Sequence, residues 1–162
     1  MTFIFSRRIL QFVSSEYWYK GDAMVTHKTQ AVVLTCIDFR TYDHAERVLE
    51  QAIAERFGVE SFDIISLAGG ARNLLQDKRR DVVLEDLATS VRLHDPDLII
   101  LVNHEDCGAY GGSARFSDAD EEEQFHQEQL EQAAAIARQY VPAEKVKTFY
   151  LTLSKSLEHQ LA

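Results

Sequence analysis

The stretch Leu98-Ile99-Ile100-Leu101-Val102-Asn103-His104-Glu105-Asp106-Cys107-Gly108 passes in one step from an apolar run to a cluster of chemistry-bearing side chains. A short run of branched apolar residues reads as a buried strand. The same pattern recurs earlier, where Ala31-Val32-Val33-Leu34 leads into Cys36-Ile37-Asp38-Phe39-Arg40. Metal-competent residues therefore stand at the carboxyl ends of two strands. In an open α/β sheet that edge is where sites form, above all where the strand order reverses. The expectation is that the two clusters meet there and hold one metal ion.

The bulk composition sets the frame. A chain of 162 residues suits one domain with one core, and 46% hydrophobic with 27% charged residues is ordinary for a globular protein. A net charge of −9 argues against a nucleic-acid partner, which needs clustered Lys and Arg. It leaves room for a small anion held by a single Arg. No apolar run approaches the roughly 20 residues of a membrane span. The apolar residues from Thr2 to Phe5 are interrupted at once by Arg7-Arg8, so no secretory segment is expected. The expected compartment is the cytoplasm. Its reducing environment disfavours a disulfide between the two cysteines, which leaves metal binding, catalysis or simple burial as their roles.

Residues 1–23 read apart from the rest. Ile9, Phe12 and Val13 share a helical face, and Tyr17-Trp18-Tyr19 forms an aromatic cluster. Two readings stand: a poorly ordered tail, or a helical arm that buries its aromatics on a second subunit. The expected division is an arm over residues 1–23 and a single α/β domain over residues 24–162.

Within the domain, residues 30–37 are the first strand. Asp43, with Glu46 three positions later, has the form of a capping box. It would open a helix to about Phe57 with Ala45, Val48, Leu49, Ala52, Ile53 and Phe57 on one face and Gly58 at its end. A second strand spans Phe62 to Leu67, and Ala68-Gly69-Gly70 breaks it. A second helix runs from Asp77 to about Leu93, and a third strand starts at Asp97 beyond Pro96. A turn-rich loop, Ala109-Tyr110-Gly111-Gly112-Ser113, leads to a third helix from Ser117 to Tyr140. Its early acids, Asp118, Asp120, Glu121, Glu122 and Glu123, oppose the positive end of the helix dipole. The expectation there is a solvated first turn, not an acidic metal site. Val146 to Leu153 is a fourth strand, and a short helix or tail follows. Alternating strands and helices predict an α/β fold with a mostly parallel sheet flanked by helices and joined by right-handed connections. The expected order is 2-1-3-4, which would put Cys36 beside His104 and Cys107.

Two thiolates and one imidazole make a set that zinc takes readily while keeping a fourth position for water. Zinc lowers the pKa of that water to near ~7. Asp38 lies two residues beyond Cys36 and points the same way in an extended chain. Arg40 can grip it through two parallel hydrogen bonds. A carboxylate so held is not free to ligate the metal, but it can accept a hydrogen bond from metal-bound water. The plainer alternative for Asp38 and Arg40 is a surface ion pair of little value.

Cys36-Ile37-Asp38-Phe39-Arg40 together with His104-Glu105-Asp106-Cys107-Gly108 resembles the C-x-D-x-R and H-x-x-C-G motifs of the β-class carbonic anhydrases. The resemblance runs from about Ala31 to Leu153. It implies Zn2+ on Cys36, His104 and Cys107, with Asp38 and Arg40 as the catalytic dyad. It implies zinc-dependent reversible hydration of carbon dioxide to bicarbonate through zinc-bound hydroxide. It also implies a dimer or larger homo-oligomer with an N-terminal helical arm on the neighbour. Relatives with the same ligand set hydrolyse carbon disulfide or carbonyl sulfide, and a zinc-binding homologue without turnover is a further alternative. The family commonly carries Arg-Asn-Ala-Gly after the second strand. Here Ser66-Leu67-Ala68-Gly69-Gly70 stands, so Gly69 and Gly70 keep a backbone amide that can face a substrate, and Arg72-Asn73 follows. His44 is a candidate proton shuttle or an exposed helix-start residue. Tyr110 either lines the site mouth or covers core. His27, His94, His126 and His159 are given no role.

Overall fold

In the computed structural model, residues 27–42 and 47–153 are described. Four strands, β1 (Ala31–Thr35), β2 (Phe62–Ser66), β3 (Leu98–His104) and β4 (Val146–Leu151), form one sheet in the order β2-β1-β3-β4. Every pairing is parallel, with Ala31 opposite both Phe62 and Leu98 and with Ile99 opposite Val146. The expected strand order is the observed one. The expected arm over residues 1–23, the tail after Leu153 and the Asp43–Glu46 capping box lie outside the described residues.

The two central strands are apolar without alternation because both faces of the sheet are covered. All five residues of β1 are buried, as are the last six of β3. Side chains alternate between faces along each strand. Val32, Leu34, Ile99 and Leu101 meet α2 (Asp77–His94) and α3 (Ala119–Ala137) through Val83, Leu84, Leu87, Leu130, Ala133, Ala134 and Ala137. Ala31, Val33, Ile100 and Val102 meet α1 (Val48–Phe57) on the opposite face through Leu49 and Ile53. Each fully buried Leu, Ile or Val contributes about 1.5–3 kcal/mol by leaving water, so these two layers hold the helices to the sheet.

The element ends differ locally from expectation. α1 begins at Val48, behind Arg47 in left-handed backbone (φ 48°) with no side-chain cap. Gly58 closes it as expected, in left-handed backbone and donating its N–H to Ala54 O. α3 begins at Ala119, where Asp118 accepts the Glu121 N–H at 2.9 Å. It ends at Ala137, short of Tyr140. The residues before Pro142 leave the helical path because proline crowds the preceding backbone.

After β2 the chain does not enter α2 directly. It turns at Leu67–Gly69 and makes a tight helical run, Gly70–Leu75, under the carboxyl ends of β1 and β3. Gly70 is confined there. A Cβ would lie 2.7 Å from Val102 O and 3.1 Å from Cys36 N, and its φ of +48° is unfavourable for any side chain. Backbone cannot yield as a flexible side chain can. Gly70→Ala is therefore expected to destabilise the protein by about 2 kcal/mol or more. The check is a thermal melt, and an unchanged midpoint would contradict the close approach.

Candidate metal centre

β1 and β3 are neighbours, yet the chain leaves them towards opposite edges of the sheet. Their carboxyl ends therefore open a crevice at the switch point. Cys36 stands one residue past β1, His104 is the last residue of β3, and Cys107 follows in the loop. Their ligand atoms all lie within 4.8 Å of one another, and all three residues are buried. The two sulfurs are 3.9 Å apart, far beyond a disulfide, and both cysteines are free. Two sulfurs on one tetrahedral zinc sit about 3.8 Å apart, from Zn–S distances of about 2.3 Å.

The remaining ligand is prepared as well. His104 donates its Nδ1–H to Glu105 O at 2.7 Å, which leaves the Nε2 lone pair facing the thiols. Nε2 is buried and has no hydrogen-bond partner among the described residues. An orphaned acceptor beside two thiols is costly without a cation to complete it. Cys36 is held down to about 4, first by its pairing with Cys107 and then, against burial, by hydrogen bonds that include the Gly69 amide. The same pairing, with burial, pushes Cys107 up. The residues present thus fit zinc: two sulfurs and one imidazole nitrogen at the right spacing, in the right tautomer, with one thiolate already favoured.

Asp38 and Arg40 meet as the spacing predicts. Arg40 Nε donates to Asp38 Oδ1 at 3.0 Å and Nη2 donates to Oδ2 at 2.7 Å, while the Arg40 backbone N–H adds a third bond at 3.0 Å. Asp38 Oδ2 lies 4.0 Å from His104 Nε2, so the clamped carboxylate faces the metal position. Arg40, first through its hydrogen bonds and despite partial burial, holds the Asp38 carboxyl below the ordinary range.

Gly69, expected to face a substrate, donates its N–H to Cys36 Sγ at 3.3 Å. Gly70 packs under Val102 O. Arg72 donates to Ala109 O, with its guanidinium 5.5 Å from the centre of the Tyr110 ring. Asn73 donates to Ala68 O and Gly70 O at 3.1 and 2.8 Å. Arg72 and Asn73 thus brace the loops around the centre. Tyr110 is buried against Cys36 and Cys107 and accepts from Asn103 Nδ2 at 3.1 Å. His44 lies outside the described residues.

Sequence reasoning missed three participants. Asp106 accepts Arg40 Nη1 at 2.8 Å, and its backbone O accepts Arg40 Nη2 at 3.0 Å. Glu122 corrects the expectation of a wholly solvated first turn in α3. It is 2% exposed, because the helix start folds back over the end of β3. There its carboxylate accepts the Asp106 N–H at 2.7 Å and the Ser113 hydroxyl at 2.6 Å. His126, one turn later, is fully buried between Tyr110 and Tyr150. Burial, which disfavours the charged ring, lowers its pKa to about 4 and leaves it neutral. Asp106 was legible to the extent that it sits inside the H-x-x-C motif. Nothing in the local pattern marked Glu122 or His126.

A protein-family model described as "Putative carbonic anhydrase" matches residues 26–159. The chain belongs to this carbonic anhydrase family. Two curated relatives align with it: an uncharacterized protein of Rickettsia bellii, 29% identical over 82% of each chain, and one of Rickettsia conorii, 28% identical over 82% of this chain and 72% of that one. The crystal structure of a β-carbonic anhydrase from Trichomonas vaginalis is similar in fold. Its TM-score is 0.50 at 15% identity, with 83% of each chain covered. The carbonic anhydrase fold and the three metal-competent residues therefore occur together in this protein. Among the described residues no helix is long and apolar enough to cross a membrane.

Proposed function

We propose that this protein is a zinc-dependent carbonate dehydratase that interconverts carbon dioxide and bicarbonate, with Cys36, His104 and Cys107 holding the metal. One observation carries the reading. The orphaned His104 Nε2, aimed between two thiols, lies 4.0 Å from a carboxylate that Arg40 keeps from ligating. A purely structural zinc site would need no held carboxylate.

Zinc in this set would supply a nucleophilic hydroxide at neutral pH by acidifying a bound water. The chain's own residues do the rest. The Glu105 carbonyl fixes the His104 tautomer and so the direction of its lone pair. Asp38, with both oxygens engaged by Arg40, keeps a free lone pair towards the site and accepts a hydrogen bond from the reacting water. That bond aims the oxygen lone pair at the carbon of a small linear substrate. Tyr110 and Phe125 close the rear of the centre with apolar surface, which keeps bulk water out and strengthens these polar contacts.

We further propose a cytoplasmic homodimer or larger homo-oligomer, with residues 1–23 as an arm on the neighbour and residues 24–162 as the catalytic domain. Ile37 and Phe39 flank Asp38 and are 59% and 80% exposed. Such apolar surface beside a site is suited to cover by a second subunit.

The test is metal analysis followed by stopped-flow carbon dioxide hydration. The expected result is about one zinc per chain and hydration that a chelator abolishes and zinc restores. Zinc-loaded protein that leaves carbon dioxide untouched but hydrolyses carbonyl sulfide or carbon disulfide would move the reading to those substrates. Protein without zinc and with both thiols freely reactive would sink it.

A further inference from the structure

Arg40 does more than hold Asp38. Its guanidinium uses one edge, Nε and Nη2, on Asp38 and turns Nη1 to Asp106 Oδ2 at 2.8 Å, while Nη2 also reaches Asp106 O at 3.0 Å. A planar fork pinned at both ends cannot rotate about its stem. Asp106 is itself pinned. Its Oδ1 accepts the Ser113 N–H at 2.9 Å, and its own N–H is held by buried Glu122 at 2.7 Å. Its backbone is left-handed, with φ 54°, a conformation that Asp tolerates better than most side chains and that its neighbours hold in place. Those neighbours include the Glu122 carboxylate, which also takes the Ser113 hydroxyl. One buried acid at the start of α3 thus grips both ends of the segment whose side chain steadies Arg40.

We propose that Asp106 and Glu122 are positioning residues for the Arg40–Asp38 pair. Glu122 sets the Asp106 backbone, Asp106 sets the plane of Arg40, and Arg40 keeps Asp38 off the metal. Neither acid touches the substrate or the metal. The proposal rests on the reading of Asp38 and Arg40 given above.

The test uses the full-length chain with three variants. Asp106→Asn retains the acceptor for Ser113 N–H, suits left-handed backbone, and presents an amide N–H to Arg40 in place of an acceptor. The expected result is a kcat for carbon dioxide hydration lower by about tenfold to a hundredfold, with KM and zinc content unchanged. In the cobalt(II)-substituted protein, azide binding read from the visible spectrum is expected to weaken, because released Asp38 competes for the fourth position. Glu122→Ala should act in the same direction. Glu122→Gln still accepts the Asp106 N–H and should restore most of the kcat lost in Glu122→Ala. Parent-like kcat and azide affinity in Asp106→Asn would overturn the proposal, as would loss of zinc from it or equal damage in both Glu122 variants. If Asp106→Asn fails to fold, the comparison of Glu122→Ala with Glu122→Gln decides alone. If the parent protein does not turn over carbon dioxide, the proposed activity fails, while azide binding still tests the positioning.

Discussion

A Cys107→Ser protein is expected to emerge without metal and to melt well below its parent. Serine is a poor zinc ligand at neutral pH, so the set falls to Cys36 and His104. Both are buried, and Cys36 loses the partner that most favours its thiolate. Removing one member of the buried cluster leaves the remaining polar groups short of partners, at a cost of about 1–3 kcal/mol. The free energy of metal binding is also lost from folding. For a domain of this size the melting temperature should fall by on the order of 10 °C. Metal analysis beside calorimetry checks it. A parent-like melting temperature with zinc retained would remove Cys107 from the ligand set.

Arg40→Ala is expected to do the opposite, leaving zinc in place while turnover falls by about a hundredfold or more. No ligand is touched, but Asp38 loses its clamp and Asp106 its counter-charge. The pH behaviour of the parent gives a second signature. The Asp38 carboxyl is lowered in the folded state, chiefly by Arg40. The stabilisation from this pair is therefore complete above the unfolded carboxyl pKa of about 3.9 and is lost as pH falls through the lowered folded value. Arg40→Ala removes that increment, so the parent's stability advantage over the variant should shrink in acid. Full turnover in Arg40→Ala would make Arg40 an ordinary surface charge.

The central architecture was legible in the sequence because it rests on strong, local signals. Apolar runs buried on both faces marked β1 and β3, and helical spacing marked the crossovers, which together mark a parallel sheet with right-handed connections; handedness alone also admits other strand orders, and the pairings select β2-β1-β3-β4. Cys36, Asp38, Arg40, His104 and Cys107 were legible because each sits at, or at a short fixed spacing beyond, a strand end. Glu122 was not. A carboxylate in the first turn of a helix ordinarily faces water, and its burial here depends on where α3 lands relative to the end of β3. His126 was hidden for the same reason, since its partners come from the loop at Tyr110 and from β4. Gly69 showed a different limit. The sequence marked an available amide, but only the approach of the turn to Cys36 shows that the amide meets sulfur.

The pairing of β1 with β3 also fixes when the full ligand set can assemble. These strands lie far apart in the chain, and α1, β2 and α2 intervene. Closing that loop is entropically costly and places the domain among the slower folders. His104 and Cys107 are three residues apart and can meet an ion early, but Cys36 joins them only once this pairing has formed. In a refolding experiment with cobalt(II) present, the full thiolate-to-metal absorption should rise after helix formation and together with sheet assembly. The centre would then be a clock for the last cooperative step of folding.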